Sequence, residues 1–336
     1  RHYNVSIYNI KFIKYMKKIF IKLCKILGFE IIDQNKFFSP TLNRELNEDL
    51  SKFNEKSIVL PLGEVKIKRR VKSVLIVLRI NTEVDIWDQN KKRLFELPKI
   101  EYTCRSLKSL INAVNFCKRK HPNLEIKTFI IDDHSNKENL DRIAEITKEN
   151  NIEVIPLDHE KFKSTIKQQK NKETFSNLAS LRESFETGKK FGNDLIFFVE
   201  DDYLHFESML EEMISSYQRI SSQFGSDIIM CPSDYPYLYT NNEKTNILIG
   251  SRRHWRTINK TLCTFLLSKK ILDKYWDNLI KTCENRHDPF EKYINEIYQK
   301  ELCISPIKSL SLHLTNVNSS YGLAPFIDYK KLWDEN

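Results

Sequence analysis

Three carboxylates in a row, Glu200-Asp201-Asp202, stand directly behind an apolar run, Phe197-Phe198-Val199. Three adjacent acids repel one another unless positive charge sits beside them. A hard divalent cation such as Mg²⁺ or Mn²⁺, itself bound to phosphate oxygens, is a natural counter-charge. The reading without chemistry is that solvated acids favour the start of the following helix through its dipole. A second acidic pair, Asp132-Asp133, precedes His134-Ser135. A carboxylate at a strand end can accept from a base or from a ribose hydroxyl. The same residues also make an Asp/Ser turn leading into a helix cap.

Three further places carry usable chemistry. Trp255 lies among Arg252, Arg253, His254 and Arg256. An exposed Trp among cations suits stacking on a sugar ring and pairing with a diphosphate, whereas a buried one anchors two subregions. Asp288-Pro289-Phe290-Glu291 reads as a capping box with Pro at the first helical position. His313 sits in an alternating, strand-like run, Ser309 to Leu314, where a lone histidine is either structural or a ligand.

The elements that must position these residues follow from periodicity. Short apolar runs at 71–78 and 194–199 predict buried strands, and 126–131, 152–156 and 227–231 predict further strands. Stripes at helical spacing predict helices over 105–118 and 138–149. Two more carry Phe175, Leu178, Arg182 and Phe185, and Met209, Leu210, Met213, Ile214 and Tyr217. Past residue 232 aromatics and turns dominate, and helices are predicted at 268–281 and 289–300. Strands alternating with helices predict an α/β fold with a mostly parallel central sheet flanked by helices. Ligands bind outside the carboxyl ends of such strands, and both acidic motifs lie at such ends.

Composition bounds the rest. The chain has 336 residues, 40% hydrophobic and 29% charged, enough for a sizeable core. No run approaches the roughly 18–20 apolar residues of a membrane-spanning helix, so an integral membrane protein is not expected. Seven glycines leave no GxGxxG and no GxxxxGK[ST] loop. Seven cysteines without a CxxC pair point to a reducing compartment. The net charge of +9 is densest at Lys11 to Lys25, where the lysines at 11, 14, 18, 22 and 25 recur at helical spacing before Gly28, a suitable stop. That helix can lie on an anionic membrane surface or pack on protein. Residues 57–68 suggest a short hairpin around Gly63.

In their order and strand context the two acidic motifs resemble the GT-A nucleotide-sugar glycosyltransferases. Val199-Glu200-Asp201-Asp202 resembles the Golgi N-acetylglucosaminyltransferases, and Tyr203-Leu204-His205 after it is similar to family-2-like transferases. His254-Trp255-Arg256-Thr257 matches the His-Trp-Arg-Thr of similar members. Leu78-Arg79-Ile80-Asn81 departs from the frequent Pro-x-Tyr-Asn. The resemblance covers roughly 71–328. It implies that Asp132 or Asp133 contacts the nucleobase or ribose, that Glu200 and Asp201 hold the ribose and metal-bound water, and that Asp202 coordinates Mn²⁺ or Mg²⁺. It raises His313 as a second metal or diphosphate ligand and assigns Arg79 to the donor side. His254, Trp255 and Arg256 fall to the acceptor side. Asp288, or its rival Asp234, would be the general base of an inverting transfer.

The implied activity moves a sugar from a UDP- or GDP-sugar to a glycan or lipid-linked acceptor, in the cytoplasm and peripherally at a membrane through residues 11–28. The implied organisation is a basic helix at 1–28, an arm at 29–70, a donor-binding part at 71–232, an acceptor-binding part at 233–328 and a tail at 329–336. Two alternatives stand: a sugar nucleotidyltransferase, which usually carries a Gly-rich loop missing here, and a non-enzymatic basic protein binding nucleic acid or membrane. Nucleic acid is not an expected partner of the transferase.

Overall fold

The structure is a computed structural model and describes residues 7–29, 31, 53–54, 56–59, 63–83, 94–167, 171–315 and 317–336. The chain divides into two compact units, Arg1–Arg44 with Ile58–Glu64, and Glu45–Ser57 with Val65–Asn336. Helix α1 (Ile7–Ile26) belongs to the first. It ends where Gly28 takes φ of +83° and Phe29 N–H reaches back to the Cys24 carbonyl at 2.9 Å. A left-handed residue there favours glycine, as the sequence predicts. Met16, Ile19, Phe20 and Leu23 are exposed along α1. No described helix is long and apolar enough to cross a membrane. Strands β1 (Lys56–Val59) and β2 (Gly63–Lys66) pair, with Gly63 opening β2 instead of topping the turn.

In chain order the second unit runs β3 (Ser73–Ile80), α2 (Lys99–Lys120), β4 (Glu125–Asp132), α3 (Lys137–Thr147), β5 (Ile152–Pro156), α4 (Lys172–Phe191), β6 (Leu195–Glu200), β7 (Tyr203–His205) and α5 (Met209–Phe224). It continues with β8 (Ile229–Met230), α6 (Tyr237–Thr240), β9 (Ile247–Ile249), β10 (His254–Thr257), β11 (Phe265–Ser268), α7 (Lys269–Lys274) and α8 (Trp276–Thr282). Last come α9 (Lys292–Tyr298), β12 (Cys303–Pro306), β13 (Ser311–His313) and α10 (Tyr329–Asp334).

Nine strands form one sheet in the order β5-β4-β3-β6-β11-β8-β12-β10-β9. The first four are parallel, and β11 turns antiparallel against β6. Strand β3 shows why its sequence is continuously apolar. Val74, Ile76 and Leu78 face a layer containing Leu107, Leu110, Met213 and Tyr217 of α2 and α5. Leu75 and Val77 face Phe175, Leu178 and Phe185 of α4. Both faces of a period-two strand are thus covered. The parallel strands deliver the acidic motifs to one edge of the sheet, because Ile80 pairs with Asp132 and Arg79 with Glu200.

Several expected boundaries move. Helix α2 begins already at Lys99, behind Pro98. The single helix expected at 268–281 breaks at Tyr275 into α7 and α8. Residues 329–336 are no loose tail: α10 packs Trp333 against Tyr102, with ring centroids 4.8 Å apart. The short pair β7–β13, registering His313 opposite Tyr203, brings the C-terminal region beside the acidic triplet.

Candidate active site

The carboxyl ends of β3 and β6 open into a cleft of about 670 Å³ whose lining includes Arg79, Glu200, Asp202, Asp288, His313 and Tyr321. The triplet does not act there as a block. Glu200 takes the guanidinium of Arg79, which also reaches the side chain of Asn177. Burial opposes the Arg79 charge, and Glu200 more than offsets it, so its pKa is raised. Asp201 turns inward: Oδ1 accepts from Lys99 Nζ at 2.6 Å, and Oδ2 accepts from the Thr103 hydroxyl at 2.6 Å and from Asn81 N–H at 3.3 Å. Asp202 alone of the two aspartates lines the cleft.

Asp202 Oδ2 lies 3.2 Å from His313 Nε2, and His313 Nδ1–H donates to the Tyr321 carbonyl at 2.8 Å. That second bond fixes the imidazole tautomer and its aim. Burial pushes the Asp202 carboxyl up, but His313 and Lys99 outweigh it and hold the group well below the usual carboxylate range. Burial works against a charged His313, and Asp202 overrides it, so the imidazole pKa is raised. Asp202 Oδ1 is buried without a well-formed hydrogen bond among the described residues, although the Thr315 hydroxyl also helps hold the carboxyl's pKa down. The repulsion expected within the triplet is therefore met by the protein's own cations, one for each acid, and a single oxygen is left over.

At the end of β4, Asp132 Oδ1 accepts from Ser135 N–H at 3.3 Å, and burial raises its pKa. Asp133 is 4% exposed and fully engaged. Oδ2 accepts from Asn81 Nδ2 at 3.0 Å and from the Ser176 hydroxyl, while Oδ1 meets His159 Nε2 at 2.8 Å and His134 Nδ1 at 3.1 Å. Neither aspartate is among the residues lining the 670 Å³ cleft.

The later candidates divide. Asp288 is exposed and lines the cleft. It is not a helix cap: α9 starts only at Lys292, behind Glu291. The capping-box spacing is present in the sequence, but the backbone does not enter the helix there. Asp234 is 1% exposed and outside the cleft lining. It accepts from the Tyr239 hydroxyl and lies 3.3 Å from Arg256 Nη2, which is itself buried. Burial raises the Asp234 pKa. Trp255 is fully buried, contrary to an exposed stacking platform. On β10 it points into the α5-side core, so close to Gly250 that a Cβ there would strike its Nε1. His254 is exposed, and none of His254, Trp255 and Arg256 lines the cleft.

No protein-family model and no curated protein matches the chain. Solved structures show a distant likeness. S. aureus TarS 1–349 superposes with a TM-score of 0.40 at 15% identity, over 71% of this chain and 58% of that one. UDP-glucose pyrophosphorylase complexed with UDP-glucose gives 0.38 at 11%, over 73% and 93%. Galactosyltransferase LgtC in complex with donor and acceptor sugar analogs gives 0.33 at 13%, over 67% and 70%. At such scores and identities the chemistry has to be read from the side chains themselves.

Sequence reasoning missed Lys99, Thr103 and Asn177. Lys99 and Thr103 fall in a segment read as loop, ahead of the apolar stripe of α2. Asn177 is one polar residue on a helix chosen for its apolar ones. The Lys99/Thr103 pair at i, i+4 is the one local signal that placed them on a common helix face.

Proposed function

We propose that the protein is a metal-dependent glycosyltransferase that moves a sugar from a nucleoside diphosphate sugar to an acceptor hydroxyl with inversion. One observation carries this reading: a buried carboxylate oxygen, Asp202 Oδ1, lacks a well-formed hydrogen bond beside His313 in a polar cleft. An orphaned buried acceptor is costly in a native fold. An anionic oxygen with a neighbouring imidazole nitrogen suits Mn²⁺ or Mg²⁺. Asp202 and His313 would hold the ion, which when bound supplies positive charge to a diphosphate leaving group.

The chain's own residues do the rest. Glu200 and Asn177 pin Arg79 in the cleft wall. Lys99, Thr103 and Asn81 fix Asp201 and, with it, the turn that aims Asp202. Tyr321 locks the His313 ring from behind. Asp288, solvent-exposed on the cleft, accepts the acceptor hydroxyl's proton as that oxygen attacks the anomeric carbon. The alternative reading as a nucleotidyltransferase predicts pyrophosphate as product, where transfer releases a nucleoside diphosphate.

The test is turnover of UDP- and GDP-sugars with Mn²⁺ or with chelator, followed by product identification. Nucleoside diphosphate is expected only with metal. Asp288→Asn should lose roughly 10²–10⁴ in turnover with donor affinity unchanged. Because Asp288 caps no helix, Asp288→Ala should leave the melting temperature nearly unmoved. Turnover that persists in chelator, or in Asp288→Asn, would refute the reading.

A further inference from the structure

Asp133 sits at the end of β4, away from the cleft lining, with two histidines converging on one of its oxygens. Oδ1 lies 2.8 Å from His159 Nε2 and 3.1 Å from His134 Nδ1, and the three atoms all fall within 4.8 Å of one another. The other oxygen is taken: Asn81 Nδ2 donates to Oδ2 at 3.0 Å, and the Ser176 hydroxyl does so too. These two bonds hold the carboxylate so that Oδ1 faces the imidazoles. Supporting hydrogen bonds of this kind orient the ligands in metal sites.

The backbone contributes. His134 has a positive φ of 59°, which turns its ring back over the carboxylate of the preceding residue. The ring of His159 stands edge-on to Phe175 with centroids 5.5 Å apart, and its centroid is 4.4 Å from that of His134. Asp133 is buried to 3% side-chain exposure, while His134 keeps 61%. The site is therefore closed underneath and open at the top.

The geometry points to a transition-metal site formed by Asp133, His134 and His159, distinct from the oxygen-rich position at Asp202. Two imidazole nitrogens and one carboxylate oxygen suit Zn²⁺ or another borderline first-row ion better than Mg²⁺. An ion about 2.0–2.2 Å from each donor spreads them to roughly 3.3 Å from one another. The two carboxylate–imidazole spacings, 2.8 and 3.1 Å, are a little shorter than that value, and the exposed His134 can make the adjustment. Three protein ligands leave a fourth position for water on the open side. Asp133 is one of the two aspartates that the family resemblance sets against the nucleobase or ribose, and Asn81 serves both Asp133 and Asp201, but the site uses neither Asp202, His313 nor Asp288, so it is tested apart from the transfer.

The test uses the full-length, metal-stripped chain titrated with Co²⁺ and followed by its visible absorption, then with Zn²⁺ as competitor. The Co²⁺ that gives the visible band should be displaced by Zn²⁺, and one bound ion per chain should be lost in His134→Ala. Affinity should fall at least about tenfold in both His134→Ala and His159→Ala. Because His134 is exposed, His134→Ala should keep the wild-type melting temperature without metal, and it decides the matter alone if His159→Ala does not fold. Wild-type binding in His134→Ala, no binding to the parent chain at 1 mM Zn²⁺, or a thiolate-to-cobalt charge-transfer band placing the ion on cysteine would each overturn the assignment.

Discussion

Two strand ends in the parallel half of one mixed sheet carry adjacent carboxylates, and they fare differently. At β4 both acids are satisfied by protein: Ser135 serves Asp132, and Asn81, Ser176, His134 and His159 surround Asp133. At β6 the acids are split by direction. Arg79 takes Glu200, Lys99 and Thr103 take Asp201, and Asp202 is left facing the cleft with His313 and one oxygen without a well-formed hydrogen bond. Residue type and spacing are nearly the same at the two ends. What separates them is which neighbouring elements bring donors, and this decides which carboxylate can still hold something else.

If that division is correct, the largest effect should come from the acid that never meets the cleft. Asp201→Asn leaves Lys99, 14% exposed, without its counter-charge. It also sets an amide against a hydroxyl and an N–H that need an acceptor. Removing one partner of a largely buried pair costs about 3 kcal/mol or more, to be read from denaturant unfolding, with metal affinity per folded molecule unchanged. A stable Asp201→Asn that has lost metal binding would reverse the roles of the two aspartates.

A pH-dependent effect sharpens the picture of what surrounds β7. Burial pushes the His205 imidazole down to about 3, and Nδ1 lies 2.7 Å from the Ser311 hydroxyl across the β7–β13 pair. The native state keeps this ring neutral, while the unfolded chain protonates it below about 6.5. Stability should therefore fall as pH drops from about 6.5 toward 3, by up to about 1.4 kcal/mol per pH unit from this group. His205→Gln should flatten that slope in pH-dependent melting. An unchanged slope would mean that the ring is not sealed between β7 and β13.

Much of this was legible in the sequence. Apolar runs announced β3 and β6, because a strand covered on both faces has no polar phase to hide it, and β4 and the more exposed edge strand β5 followed from their shorter apolar stretches. The acidic motifs lie, as expected, at the carboxyl ends of β4 and β6. Other features were not legible, because they are set by distant parts of the chain. Trp255 among arginines reads equally as exposed or buried, and the structure decides it: Arg253 turns away to pair with Glu212 at 2.8 Å and leaves the indole to the core. His159 lay in a segment read only as a polar loop, and nothing local ties it to Asp133. Asp288 had the full pattern of a cap, but the chain bends past it before α9 begins.

The central claim is that Asp202 holds the cation that binds the donor. It is tested most directly by the melting temperature of the full chain with UDP or GDP, with and without Mn²⁺, in wild type and Asp202→Ala. A ligand at a hundred times its Kd stabilises by about 2.7 kcal/mol, so a clear Mn²⁺-linked rise with nucleotide is predicted for the wild type and its loss for Asp202→Ala. An Asp202→Ala protein that keeps the full Mn²⁺-linked rise would contradict the account.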